Sequence, residues 1–315
     1  MTGLSKYSVS RSLADKSGVS EETRARVKSI AEDLGYIPAQ ERDIPRIGVI
    51  FHDTDYINSR FYLKLHQGIE REALSRGYRT TINWTHSAAD IDRALKETSG
   101  LILVGPHEPS VFAAARALNK PVVRQGRVSS LEKADNVSGT DHEAGAAVAE
   151  YLLSLNHRRI VFVHGQPGYR GRVERCNGMR EVLEQVPDAD FRELIFEPEA
   201  DFADHFAALL KTGFKPTAFF CARDGLALTV VSELLRLGYK IPRDVSVVGF
   251  GNDEVAVQVV PQLTTVGVDG EQVGAACMRL LDDRLNMRIS PNVSVRLHIA
   301  NEIIFRGSCG PCPAK

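Results

Sequence analysis

From Ile47 onward the chain alternates short apolar runs with amphipathic stretches, a rhythm that limits it to parallel sheets covered by helices on both faces. Residues 47–51 (IGVIF) read as a buried strand, and the apolar spacing over 61–76 predicts a helix stopped by Gly77. Further strands are expected at 78–83, 101–104, from Pro121, and at 160–163, 218–221 and 245–250. Between them, helical spacing covers 111–118, 142–155, 172–186, 226–237 and 271–285. That is too many strands for one small sheet, so two lobes are expected. In such sheets ligands bind beyond the carboxyl ends of the strands, where the loops gather.

The first 38 residues carry no strand pattern. Ser5 can cap a helix running to about Leu13, with Val9 and Leu13 on one face, and Gly18 breaks it. Ser20 caps the next helix, where Glu21 and Glu22 suit the dipole and Val27, Ile30, Ala31 and Leu34 repeat at helical spacing. Gly35 and Pro38 stop it, and residues 39–46 read as a polar linker. A length of 315 residues suits two or three compact units.

Formal net charge is -1, so contact with nucleic acid has to come from a local patch. No signal-peptide core opens the chain and no apolar run approaches the length that crosses a bilayer, which predicts a cytoplasmic protein with no membrane partner. Five scattered cysteines read as reduced thiols; Cys309 and Cys312 form a C-x-x-C in a Gly/Pro-rich tail, without the second pair or following helix a metal or redox role needs. An enzyme is not expected: G-x-S-x-G, H-E-x-x-H and P-loop patterns are absent. Gly249-x-Gly251 lacks the third glycine of a dinucleotide fingerprint, and Gly165-x-x-Gly168-x-x-Gly171 has the wrong spacing and reads as a loop. Nine dispersed histidines form no ligand set, so no cofactor or metal is expected.

Several motifs, in order and at characteristic spacings, resemble the lactose-repressor/galactose-repressor (LacI/GalR) family over nearly the whole chain. They are Val9-Ser10-Arg11, Val19-Ser20-x-x-Thr23-x-x-x-Val27, Leu34-Gly35-Tyr36-x-Pro38, Phe61-Tyr62 ahead of Gly68-Ile69-Glu70, and Asn156-His157-Arg158-Arg159-Ile160. Ala222-Arg223-Asp224, the run from Asp244 to Gly249-Phe250, and Pro261-x-Leu263-Thr264-Thr265-Val266 complete the set. The resemblance implies a helix-turn-helix head over 1–38, a linker over 39–46, and a two-lobed core like that of periplasmic sugar-binding proteins. The lobes are expected at 47–139 plus 268–306 and at 140–267, followed by a flexible tail, 307–315. It also implies a homodimer that represses transcription from operator DNA and takes a small effector between its lobes.

In that family the helix matching the Ser5–Leu13 segment lies in the major groove. Lys6, Tyr7 and Ser8 would face base edges, with Ser10 and Arg11 toward the phosphates and Ser5, at the helix start, among the DNA-binding residues. Two departures stand out. Only Met1-Thr2 precede Gly3-Leu4-Ser5, so the family's first helix is expected to be missing, and no leucine lies between Pro38 and Ile47 to enter the minor groove, leaving Ile44 as the apolar candidate. For the effector the resemblance points to Phe61, Tyr62, Arg175, Arg223, Asp224 and Asn252. Phe61 and Tyr62, being adjacent on a helix, are expected to split between pocket and core. Asp224 could equally cap its helix. Arg223 stands where the family often has asparagine, and Gly126 and Gly251 where it often has aspartate. Acceptors are lost and a cation gained, with Arg124 as a further candidate, which favours an anionic effector such as a sugar acid or sugar phosphate. The alternative is a small-molecule sensor of solute-binding type without effective DNA binding.

Overall fold

A computed structural model describes residues 4–13, 17–33, 44–53, 59–108, 110–111, 117–126, 128–129, 131–165, 170–195 and 202–313. The chain divides into two compact units, Met1–Pro45 and Arg46–Lys315.

The first unit holds two helices, Lys6–Leu13 and Glu21–Asp33. Each begins where a serine satisfies a free backbone amide: Ser5 Oγ accepts from Ser8 N at 3.1 Å, and Ser20 Oγ from Thr23 N at 3.3 Å. The turn between them passes through Gly18 at φ +94°, a conformation that glycine adopts without strain. Ser12, Val27 and Ala31 are buried within this unit. The stop signals Gly35 and Pro38, and the linker up to residue 43, lie outside the described residues.

The second unit is built on two six-stranded sheets. In chain order the strands are β1 (Arg46–Phe51), β2 (Arg79–Trp84), β3 (Gly100–Val104), β4 (Val122–Gln125), β5 (Asp135–Gly139), β6 (Arg159–Gly165), β7 (Asp190–Ile195), β8 (Ala218–Cys221), β9 (Ser246–Gly251), β10 (Thr264–Gly267), β11 (Arg296–Ile299) and β12 (Glu302–Ile304). The first sheet runs β11-β5-β4-β3-β1-β2 and is parallel throughout. The second runs β12-β10-β9-β8-β6-β7, parallel except where β12 meets β10. Central strands such as β3, β6 and β8 are buried almost end to end, as a parallel sheet covered on both faces requires.

In each lobe one helix pair packs backbone against backbone. In the first lobe, a Cβ on Gly68 would fall 2.0 Å from the carbonyl oxygen of Glu271, and one on Gly274 the same distance from that of Leu65. These glycines join the helices Ser59–Ser75 and Gly270–Leu285. The second lobe repeats the device between Asp141–Ser154 and Arg170–Leu183, where a Cβ on Gly145 or Gly178 would lie 1.9 Å from the carbonyl of Arg175 or His142.

The chain crosses between the sheets three times: after β5, after β10, and between β11 and β12. The last crossing corrects the expected lobe boundary at 306. Thr265 pairs with Ile304 in the second sheet, so the chain has already left the first lobe at Ala300-Asn301. The tail also departs from expectation. Ser308 is fully buried; its Oγ donates to Val247 O at 2.6 Å and accepts from Thr264 N at 2.8 Å. Cys312 N donates to Leu155 O at 2.8 Å. Gly and Pro suggest a flexible end, but the amides of Gly307, Gly310 and Cys312 and the carbonyls of Ser308 and Gly310 find partners on the second lobe. Among the described residues no helix is long and apolar enough to cross a membrane.

Candidate effector site and DNA-reading head

A cavity of about 720 Å³ lies between the two sheets, large enough for a small-molecule ligand. Its lining gathers at the carboxyl ends of strands from both lobes: Gly105 after β3, Gly126 after β4, Gly139 at the end of β5, Ala222 after β8, Gly251 ending β9, and Val268 after β10. This is where ligands sit in open parallel sheets, and the short residues let a ligand approach the backbone.

Four of the six expected effector residues line it: Phe61, Tyr62, Arg175 and Arg223. Tyr62 is only 4% exposed, and its ring packs against Phe51 at 5.5 Å between centroids. Phe61 is half-buried beside it. Arg175 donates from Nε to Asp141 Oδ1 at 2.7 Å and to the Ala222 carbonyl, and its guanidinium lies 3.4 Å over the Phe250 ring. It is a fixed directional donor whose charge is already matched.

Asp224 and Asn252 are corrections. The Asp224 carboxylate neither caps its helix nor lines the cavity. It is fully buried and accepts from Asp253 N at 2.7 Å and Thr265 Oγ1 at 2.6 Å, clamping the ends of β9 and β10. Burial raises its pKa, opposed by those hydrogen bonds. Asn252 adopts φ +54° and turns its Oδ1 to Arg306 Nη2 at 2.6 Å. Arg124 also takes another role. It is 3% exposed and forked onto Glu132 at 2.8 and 2.9 Å, so it adds no charge to the cavity.

Sequence reasoning did not single out several lining groups. Arg172, 5% exposed, projects from the first turn of the helix that carries Arg175. Arg60, Lys64, Arg170 and Arg296 add further cations. Asp141, Glu143, Glu174 and Asp253 are the lining carboxylates, so cations outnumber them seven to four among the described residues. Arg60 also reaches across the lobes to Glu254 Oε1 at 2.6 Å, which lowers the glutamate's pKa and raises the arginine's. The glycines standing for aspartate have a backbone reason: Gly126 sits at φ +109° and Gly251 at +123°, strained for any L side chain.

In the other unit, Lys6 opens the first helix, though its side chain lies outside what the structure describes. Tyr7 is 67% exposed and Ser5 and Ser10 are exposed beside it, while Ser8 is half-buried. Arg11 is engaged within the unit: Nε donates to Ser17 O at 2.8 Å and Nη1 to Tyr7 Oη at 2.8 Å. It therefore ties the turn to the exposed tyrosine.

Comparison with known proteins follows the same division. Residues 1–39 match the model of bacterial regulatory proteins of the lacI family, and residues 149–309 that of the periplasmic binding protein-like domain. The HTH-type transcriptional repressor MelR of Bacillus subtilis is 28% identical over 99% of this chain and 96% of its own. The repressor CytR of Escherichia coli K12 is 28% identical over 98% and 94%. In fold, the chain resembles a transcriptional regulator CelR–cellobiose complex, with TM-score 0.72, 24% identity, and coverage of 98% of this chain and 97% of that one. A LacI family regulator from Enterococcus faecium with bound ribose gives TM-score 0.70 at 22% identity, covering 84% and 99%. A lacI-type head, a periplasmic-binding-protein-like core and full-length likeness to named repressors together place this chain in the LacI family of bacterial transcription regulators.

Proposed function

We propose that this protein is a cytoplasmic homodimeric repressor whose hold on operator DNA is set by an anionic, sugar-like effector bound between the lobes. The observation that carries the effector class is the cavity lining, where cations exceed carboxylates and Arg172 is buried. Forked guanidinium donors suit carboxylate and phosphate oxygens better than neutral hydroxyls. Phe61 and Tyr62 line the cavity and supply the apolar surface a sugar ring needs. The named relatives are repressors rather than enzymes, which supports a binding role for the cavity.

On the DNA side, Tyr7 with Ser5, Ser8 and Lys6 forms the base-reading turn, and Ser10 sets register against phosphates. Arg11 works by holding Tyr7 and the turn in place.

Two measurements test this. Thermal-shift and calorimetric screening should find stabilisation by sugar acids or sugar phosphates; stabilisation by neutral sugars alone would reject the anionic class. Operator fragments selected in vitro should bind with strong salt dependence, and Tyr7→Ala should weaken that binding at least ten-fold while leaving effector affinity unchanged. Binding equal to wild type would remove Tyr7 from the reading surface.

A further inference from the structure

Apart from the C-x-x-C of the tail, histidines and cysteines are dispersed along the sequence, yet folding gathers three donors in the second lobe. His164 is the penultimate residue of β6, Cys176 sits on the helix Arg170–Leu183, and Glu193 lies on β7. The imidazole nitrogen, the sulfur and a carboxylate oxygen all lie within 4.8 Å of one another. Nε2 of His164 is 2.7 Å from Glu193 Oε2, while Arg180 holds the other oxygen, Oε1, and reaches Cys176 Sγ at 3.6 Å. His164 and Cys176 are buried and Glu193 opens to solvent.

We propose that His164, Cys176 and Glu193 form a binding site for a zinc-class divalent cation, separate from the effector cavity. None of the three lines that cavity. The donor set is the first reason. Sulfur, imidazole and carboxylate together suit zinc, whose bonds of about 2.0–2.3 Å place its ligands roughly 3.3–3.8 Å apart, within small side-chain shifts of the present spacing. Orientation is the second. The Phe162 ring meets the His164 ring edge-on at 4.6 Å and fixes its plane. Arg180 occupies the far carboxylate oxygen and leaves Oε2 for the cation, the arrangement of an outer partner that orients a metal ligand. Access is the third: the solvent face of Glu193 provides an entry path and room for water as fourth ligand.

The protons balance simply. The cation takes Sγ as thiolate, with the thiol proton released to solvent. The neutral imidazole moves its proton from Nε2 to Nδ1, and Glu193 is already a carboxylate. The two anionic ligands then cancel the cation's charge. Occupancy would tie β6, β7 and the helix together behind Arg172 and Arg175, which the same helix presents to the cavity.

Cobalt(II) and zinc titrations of the full chain test the proposal, with Cys309→Ser and Cys312→Ser introduced to silence the C-x-x-C. Cobalt should give a sulfur-to-metal charge-transfer band and tetrahedral visible bands that saturate at one equivalent, and zinc should bleach them. His164→Gln or Glu193→Gln should weaken binding at least ten-fold, and Cys176→Ser should abolish the charge-transfer band. Because Cys176→Ser could disturb the core, X-ray absorption on the zinc-loaded chain with Cys176 intact provides a reading independent of variants. One sulfur and two or three nitrogen or oxygen ligands support the site. No charge-transfer band, or a zinc shell without sulfur, overturns it.

Discussion

Asp224 illustrates how a single carboxylate can be read in two ways from sequence and serve in a third. An aspartate opening a helix suggests a cap or a ligand contact, but nothing local reveals that Thr265 and Asp253, far along the chain, point their donors at it. Removing the carboxylate leaves the buried Thr265 hydroxyl and the partly buried Asp253 amide without this acceptor, at about 1–3 kcal/mol each. Asp224→Ala is thus expected to lose roughly 3 kcal/mol of unfolding free energy by urea titration, with a smaller change in effector affinity. His107 sets a pH dependence of its own. It is 4% exposed, and burial, with His52 and Arg124 nearby, lowers its pKa to about 4 from the ordinary 6.5. A depressed histidine pKa means the unfolded chain binds more protons between those values, so stability is full above about pH 6.5 and falls toward pH 4. The loss from this one side chain is about 3 kcal/mol. His107→Gln should flatten that stretch of the melting-temperature profile, whereas an unchanged slope would assign the acid sensitivity to other groups.

At the scale of elements, the strands that the sequence revealed are the continuous apolar runs β1, β3, β6, β8 and β9, together with β2 after Gly77 and β4 after Pro121. Those it hid are polar or peripheral. β5 (DNVSG) is central yet carries Asn136, whose amide donates to the carbonyls of Arg124 and Gly126. β7, β11 and β12 are edge strands with mixed exposure, where pairing rather than hydrophobicity decides the structure. The helix Ala88–Glu97 carries its own sequence signals, the Ser87 cap and Ile91 and Leu95 at i, i+4, in a short segment between two strands. Most of the cavity was legible only as a family pattern, because Arg172, Arg60 and Arg296 converge from distant segments. The paired glycines set the helix spacing. Gly178→Ala would drive a methyl into the His142 carbonyl. It should cost about 2 kcal/mol by urea titration and, by shifting Arg175, weaken effector binding; an unchanged unfolding midpoint would mean that the helices have slack.

For the whole core, three crossings join the lobes, and the ion pair Arg60–Glu254 bridges the gap between them at 2.6 Å. Both side chains are well exposed, at 40% and 66%, so the pair acts as a weak, salt-screened catch. Arg60→Ala also removes a lining cation, so Glu254→Ala is the cleaner probe. It should weaken effector affinity by less than about five-fold at low salt and by nothing measurable at high salt; a salt-independent loss would mean that Glu254 acts some other way. If the proposed effector closes this cleft, it can alter DNA affinity only by as much as it discriminates between open and closed lobe arrangements.

The same crossings bear on how the chain comes to be built. Each sheet borrows its last strand from the far end of the polypeptide, β11 for one and β12 for the other. A ribosome that has released residues 46–290 has therefore finished neither lobe, and both close together within a few residues of Ile304. Truncation upstream of Arg296 uncovers both β5 and β10 instead of leaving one intact half, a hazard for self-association during synthesis.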